Sequence, residues 1–244
     1  MLPIRLSSAQ SLIPSDDFRL GSLLRGLLVP RIETVLSSQM AGKIEKINVE
    51  EGDRFQKGAP LVVFDCKIEE TELKRAVTEL EAAKKTLGVN RSLAHLKSIS
   101  GLDVAMAEAK VLSAEAEAAV RQAVVERCTL NAPFDGRVVE IPVSAYQTVR
   151  QAEPLLKILD DQDLRLEVIV PSSWLAWLKE GEPFSIVMDE TGKTYQAKVS
   201  KIGARIDPVS QSVKVLGRIE GTHPELMAGM SGAVTFPRTA AGGK

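Results

Sequence analysis

Aromatic residues make up only 4% of the chain. Neither a large aromatic core nor a row of base-stacking platforms is built from so few rings. No run approaches the roughly 20 apolar residues of a membrane-spanning helix. The two cysteines are too few for a disulfide scaffold, and the two histidines, His95 and His223, stand in no metal-ligand spacing. There is no G-x-x-x-x-G-K-[ST] loop and no G-x-G-x-x-G turn, so no nucleotide site is signalled. A net charge of −1 and a pI near 6.2 lack the basic surface that phosphate binding needs, which argues against nucleic acid as a partner. Acidic residues are many, but none forms a telling catalytic pair. Met188, Met227 and Met230 read as core filler rather than soft-metal ligands. The Asn90-Arg91-Ser92 sequon is a pattern common by chance. Met1 to Ser15 has no basic region leading into a long apolar core and does not read as a signal peptide, so an export signal or anchor is expected to have been trimmed or to be missing.

What remains is an ordinary globular composition, 44% hydrophobic and 26% charged, over 244 residues. That length holds one large domain or two to three small ones.

The most informative feature is an internal repeat. Ser38 to Asp65 and Ala132 to Leu159 align without a gap, with Gly42 on Gly136 and Pro60 on Pro154. Ile44, Ile47, Val49, Phe55 and Leu61 fall on Val138, Ile141, Val143, Val149 and Leu155. Each half alternates apolar and polar residues between turn signals such as Glu51-Gly52-Asp53 and Lys57-Gly58-Ala59-Pro60, which is the strand pattern. Tyr146 stands where Gly52 stands, and Ala152 where Gly58 stands. Non-glycine residues resist positive φ, so the turns of the second half are expected to be built differently.

Between the halves, Cys66 to Thr129 contains no proline and is rich in strong helix formers. Cys66, Leu73, Val77, Leu80 and Leu87 recur at threes and fours, interrupted by Glu70 and Lys84. Val104, Ala107, Val111, Ala114, Ala118, Val125 and Cys128 form a second seam, broken by Arg121. Gly88 to Gly101 breaks the pattern and reads as a tip, with Ser100 or Gly101 near the second helix start. Two arms of about 25 residues, roughly 35–40 Å each, predict an antiparallel coiled-coil hairpin rather than two core helices on a sheet.

The two repeat halves resemble the half-motifs of a biotinyl/lipoyl domain, a flattened sandwich of two four-stranded sheets. True carrier domains place an attachment lysine on a tight hairpin between the halves. Here the long insertion replaces that hairpin, so no cofactor is expected and a carrier subunit is disfavoured. The order of half-motif, helical hairpin and half-motif is similar to the membrane fusion proteins of haemolysin-secretion type, also called periplasmic adaptors. AGKIEKINVEEGDRFQKGAPLVVFD and TLNAPFDGRVVEIPV carry that resemblance.

Asp163 to Phe236 reads as strands with one short helix, Trp174 to Leu178, capped by Ser172 or Ser173 and closed by Gly181. ARIDPVSQSVKV and PELMAGMSGAV are similar to the β-barrel of the same family, in which an N-terminal strand, here Leu23 to Val35, joins the barrel. The expected fold is mainly β: a lipoyl-like sandwich split by an antiparallel coiled-coil hairpin, plus a small β-barrel. The boundaries are 1–22 for an N-terminal segment, 23–36 with 161–238 for the barrel, 37–65 with 131–160 for the sandwich, 66–130 for the hairpin and 239–244 for a tail. The family's fourth, membrane-proximal domain is expected to be absent or truncated.

The resemblance implies a non-catalytic adaptor of an efflux pump. It would sit in the periplasm at the inner membrane, form a ring, and bridge an inner-membrane transporter to an outer-membrane channel. The alternatives are an adaptor for type I protein secretion, whose hairpins are longer, or a hairpin protein with no pump partner. Channel-binding members carry Arg, Leu and Ser at set intervals on the tip. Arg91, Leu93, Leu96 and Ser100 are the candidates here, with compressed spacing and His95 where the Leu is expected. An antiparallel hairpin brings Cys66 and Cys128 together at its base, where they are either a disulfide or two buried thiols.

Overall fold

The computed structural model describes residues 24–237. The segments expected at 1–22 and 239–244, and Leu23 with them, lie outside the described residues. The chain divides into two compact units, Pro30–Asp163 and a second one combining the N-terminal strand with the chain from Leu164 onward.

The first unit holds the split sandwich. Its strands are β2 (Glu33–Ser37), β3 (Gly42–Ile47), β4 (Arg54–Phe55), β5 (Pro60–Phe64), β6 (Thr129–Asn131), β7 (Gly136–Glu140), β8 (Thr148–Val149) and β9 (Pro154–Leu159). They form two four-stranded sheets in the orders β2-β9-β7-β4 and β6-β5-β3-β8. The core of the unit is formed by strand residues of both sheets: Ile44, Leu61, Val62, Leu155, Leu156 and Ile158 are fully buried. At roughly 25 cal/mol per Å² of apolar surface, burial of these branched side chains is the main stabilising term of the unit.

The repeat survives as a pseudo-two-fold relationship in the hydrogen bonds. The Gly52 amide donates to the Val138 carbonyl at 2.9 Å, and the Tyr146 amide to the Ile44 carbonyl at 2.9 Å. The Gly58 amide donates to Ala132, and the Ala152 amide to Ser38, both at 2.8 Å. Each half therefore closes its turns against the other half, and neither half is a folding unit alone.

The expectation of differently built turns is corrected here. Tyr146 and Ala152 adopt φ of 69° and 66°, beside 90° and 83° at Gly52 and Gly58. The interlocking hydrogen bonds impose one turn geometry on both halves, and the non-glycine residues accept the left-handed backbone.

The second unit is a closed barrel with strand order β1-β10-β13-β12-β11-β14. These strands are β1 (Leu24–Pro30), β10 (Leu164–Pro171), β11 (Pro183–Met188), β12 (Thr194–Asp207), β13 (Ser212–Ile219) and β14 (Ser231–Thr235). Leu28, Leu166, Phe184, Ile186, Met188 and Val215 fill the interior. Gly26 and Gly217 are required by close packing: a Cβ at Gly217 would lie 2.4 Å from the Phe184 ring, and one at Gly26 2.8 Å from Val234. The short helix is a 3₁₀ turn over Ser172–Ala176 with no side-chain cap, because Pro171 rather than a serine occupies the N-cap.

Two boundaries differ from the expectation. Leu23 to Val35 is not one barrel strand. After Pro30, which has no N–H to continue a ladder, the chain bends and β2 pairs with β9 of the sandwich. The barrel resumes at Leu164 rather than at residue 161, because Asp161 belongs to the sandwich, where its carboxylate pairs with Arg54.

Candidate functional site

The insertion forms two helices, α1 (Lys67–His95) and α2 (Gly101–Glu126), packed along their length. Buried or half-buried positions recur at alternating threes and fours: Leu73, Ala76, Leu80, Ala83, Leu87, Asn90 and Ala94 on α1, and Val104, Ala107, Val111, Ala114, Ala118, Arg121 and Val125 on α2. That is a heptad seam. Alanine at alternate steps lets the helices approach closely. The seam runs through Ala76 rather than through Val77, which is exposed. The sequence reading followed the larger side chain, whereas close packing selects the smaller one.

The tip is shorter than expected. Helix α1 continues past Gly88 to His95, about 43 Å at 1.5 Å per residue, and only Leu96 to Ser100 forms the turn. Cross-helix contacts offset the weak propensity of Gly88, Asn90 and Ser92. The Arg91 guanidinium donates to the Glu108 carboxylate at 2.8 Å, and the Asn90 side-chain amide to the Asp103 carbonyl at 3.4 Å.

Helix α1 ends in a Schellman motif: the Lys97 amide donates to Ala94 and the Ser98 amide to Leu93, each at 2.9 Å. Lys97 takes the left-handed position at φ 58° that glycine usually holds. Helix α2 starts with a capping box, in which Ser100 Oγ accepts from the Asp103 amide at 3.2 Å and Asp103 Oδ2 accepts from the Ser100 amide at 3.0 Å. Hydrogen bonds from Ser100 hold the Asp103 carboxyl below the usual carboxylate range.

The four candidate tip residues therefore have different situations. Arg91 and Leu93 lie on α1, Arg91 in an ion pair with α2 and Leu93 half-buried. Ser100 is occupied as a cap. Leu96, 73% exposed, is the one of the four that presents apolar surface outward. Leu102 and Met106 on the first turns of α2 are also exposed and were not singled out from the sequence. Their signal was present, since neither falls on the seam heptad.

The outer face of α2 is apolar well beyond the tip: Met106, Leu112 and Val120 are exposed, with Ala105, Ala109, Ala116 and Ala119 among them. The outer face of α1 carries Lys74, Arg75, Glu81 and Lys85 instead.

At the base, Cys66 and Cys128 are joined by a disulfide, with Cα atoms 6.1 Å apart. Both lie in the sandwich core. Just outward, Arg121 pairs with Glu72 of α1 and, at 2.8 Å, with Glu117 of its own helix, and these carboxylates raise its pKa. Elsewhere in the sandwich, a cleft of about 680 Å³ beside β4 is lined by Arg54, Lys57, Asp135 and Asp161, among others. Its acids are already engaged, Asp161 by Arg54 and Asp135 by the Lys57 amide. Among the described residues no helix is long and apolar enough to cross a membrane.

A family model described as the CzcB-like barrel-sandwich hybrid domain matches residues 32–160, more than half of the chain. The chain is 26% identical over 208 residues to an uncharacterized protein of Haemophilus influenzae, covering 84% of this chain and 54% of that one. It is 24% identical over 257 aligned residues to the macrolide export protein MacA of Yersinia pestis, covering 92% and 69%. It thus spans about half the length of the first relative and about two thirds of the second. A solved MacA-MexA chimera containing the Pseudomonas aeruginosa MexA α-hairpin domain superposes with a TM-score of 0.77 at 21% identity, over 86% of this chain and 79% of that one. The match over residues 32–160, with the split sandwich and its inserted hairpin, places the protein in the CzcB-like barrel-sandwich hybrid domain family.

Proposed function

We propose that the protein is a non-catalytic periplasmic adaptor of an efflux pump, coupling an inner-membrane transporter to an outer-membrane channel. The observation that carries this reading is the hairpin, a rod about 43 Å long whose end exposes Leu96, Leu102 and Met106. A rod of this kind acts by reach and contact, and each tip offers only a few side chains. Useful affinity then comes from several copies engaging together.

The reading includes self-association into a ring. The apolar outer face of α2, with exposed Leu112 and Val120, supports side-by-side packing of hairpins, because an exposed apolar stripe of this extent marks an interaction surface. A photoreactive residue at Leu96, another at Leu112 and a third at Trp174 test the three contacts in native membranes. The expected captures are a channel protein from Leu96, a second copy from Leu112 and an inner-membrane transporter from Trp174. Recovery of the protein alone from all three positions overturns the pump reading and leaves the fold untouched.

A further inference from the structure

The hairpin is fastened by different means along its length. Its outer half holds an apolar cluster of Ala83, Leu87, Ala107 and Val111, with Leu80, Val104 and Ala114 packed against it. Toward the base that cluster stops. The fully buried seam residues there are the alanines Ala76 and Ala118, with Leu73 and Val125 half-buried, and Arg121 takes a seam position in a polar group with Glu72 and Glu117. These ion pairs are partly exposed, and pairs of that kind contribute little to stability. Helix α1 also begins without a side-chain cap: its N-cap is Cys66, which makes no side-chain capping hydrogen bond, and only the acids Glu69 and Glu70 of the first turn favour the helix end.

We infer that the Cys66–Cys128 disulfide is a redox-released lock on the base of the hairpin. It ties the two chain crossings between sandwich and hairpin, β5 to α1 and α2 to β6, where the sandwich core ends and the apolar cluster of the hairpin has not yet begun. While the bond is intact, the hairpin leaves the sandwich as one stiff rod. A dithiol reductant opens it by attack of a thiolate on one sulfur to give a mixed disulfide, which the second thiol resolves. Two electrons and two protons pass from the dithiol, leaving thiols on Cys66 and Cys128 and an oxidised cyclic disulfide. The outer seam, which does not depend on the bond, keeps the helices paired, and the base frays locally. Both cysteines are buried, so a reductant reaches the intact bond only in rare local openings of the base, and reduction is slow.

Hydrogen exchange of the whole chain, with and without dithiothreitol, tests the inference, together with the Cys66→Ala/Cys128→Ala double variant without reductant. The expected result is an acceleration of about tenfold or more in residues 67–76 and 118–127, the same in reduced protein and variant, with 80–94, 104–114 and the sandwich strands unchanged. Two results overturn the lock: unchanged exchange at the base after confirmed reduction, or equal loosening of base, seam and sandwich. Two reactive thiols in the denatured, unreduced protein overturn it outright. None of these outcomes bears on which proteins the hairpin meets.

Discussion

Tyr146 occupies the turn position that Gly52 occupies in the other half of the sandwich, and both residues have left-handed backbones, at φ 69° and 90°. Ala152 and Gly58 form the second such pair, at 66° and 83°. A left-handed backbone costs a non-glycine residue roughly 1–2 kcal/mol. Glycine loses up to about 1 kcal/mol more chain entropy on folding. The balance makes Ala152→Gly stabilising by about 0.5 kcal/mol, and Gly58→Ala destabilising by about 1 kcal/mol, read from the urea midpoint. Tyr146→Gly gains less than Ala152→Gly, because the Lys43 ammonium lies 5.6 Å from the Tyr146 ring centre and that contact is lost.

The same reasoning reaches the hairpin tip. Lys97 closes the Schellman motif at φ 58°. Lys97→Gly is expected to stabilise the end of α1 by about 0.5–1 kcal/mol, seen as slower hydrogen exchange at the Lys97 and Ser98 amides. Lys97→Val, with a branched Cβ in a left-handed position, speeds exchange at the same amides.

These positions also show where the sequence could be read and where it could not. The repeat, the heptad insertion and the barrel strands were legible because each depends on the period of apolar residues. Ile44 and Val138 point inward for the same reason that they align. The left-handed turns were not legible, because they are imposed by hydrogen bonds to the other half, such as that from the Tyr146 amide to Ile44. Local propensity at Tyr146 and Ala152 argues against them. The length of α1 was hidden likewise: Gly88 and Ser92 speak locally for a break, and the Arg91–Glu108 pair with α2 overrides them. Of the four tip candidates, only the exposure of Leu96 distinguishes it, and exposure depends on which residues the seam takes.

The capping box makes the tip sensitive to acid. The Asp103 carboxyl has a pKa below its ordinary value of 3.8 because Ser100 hydrogen-bonds its ionised form. A lowered folded-state pKa means that the ionised carboxylate stabilises the fold. That contribution is fully present above the unfolded value and is lost as the pH falls through the lower folded value. Protection of the first amides of α2 against exchange is therefore expected to fall as the pH drops below about 4, beyond the pH dependence of the intrinsic rate. Asp103→Asn, which cannot ionise, removes that fall. Ser100→Ala costs about 1 kcal/mol of cap stability at neutral pH.

The Asp161 carboxylate bridges two like charges. Arg54 and Arg137 face each other directly across β4 and β7, and Asp161 Oδ2 lies 2.9 Å from Arg54 and 3.7 Å from Arg137. Its side chain is only 15% exposed, so the pairing is less screened than the ordinary surface pair. In the other sheet the equivalent cross-strand pair is Lys43 and Thr148, a single cation with no need of a bridging acid. Asp161→Asn is expected to destabilise the sandwich by roughly 1–2 kcal/mol, since it removes charge-assisted hydrogen bonding and leaves two guanidinium groups opposed. Arg54→Thr copies the arrangement of the other sheet and removes the repulsion. In that background the cost of Asp161→Asn is expected to fall by more than half, a coupling that a double-mutant cycle of urea midpoints measures directly. Equal cost in both backgrounds would mean that Asp161 acts mainly through the loop it begins, where the neighbouring Asp160 side chain accepts from the Gln162 amide at 3.0 Å, rather than through the arginines.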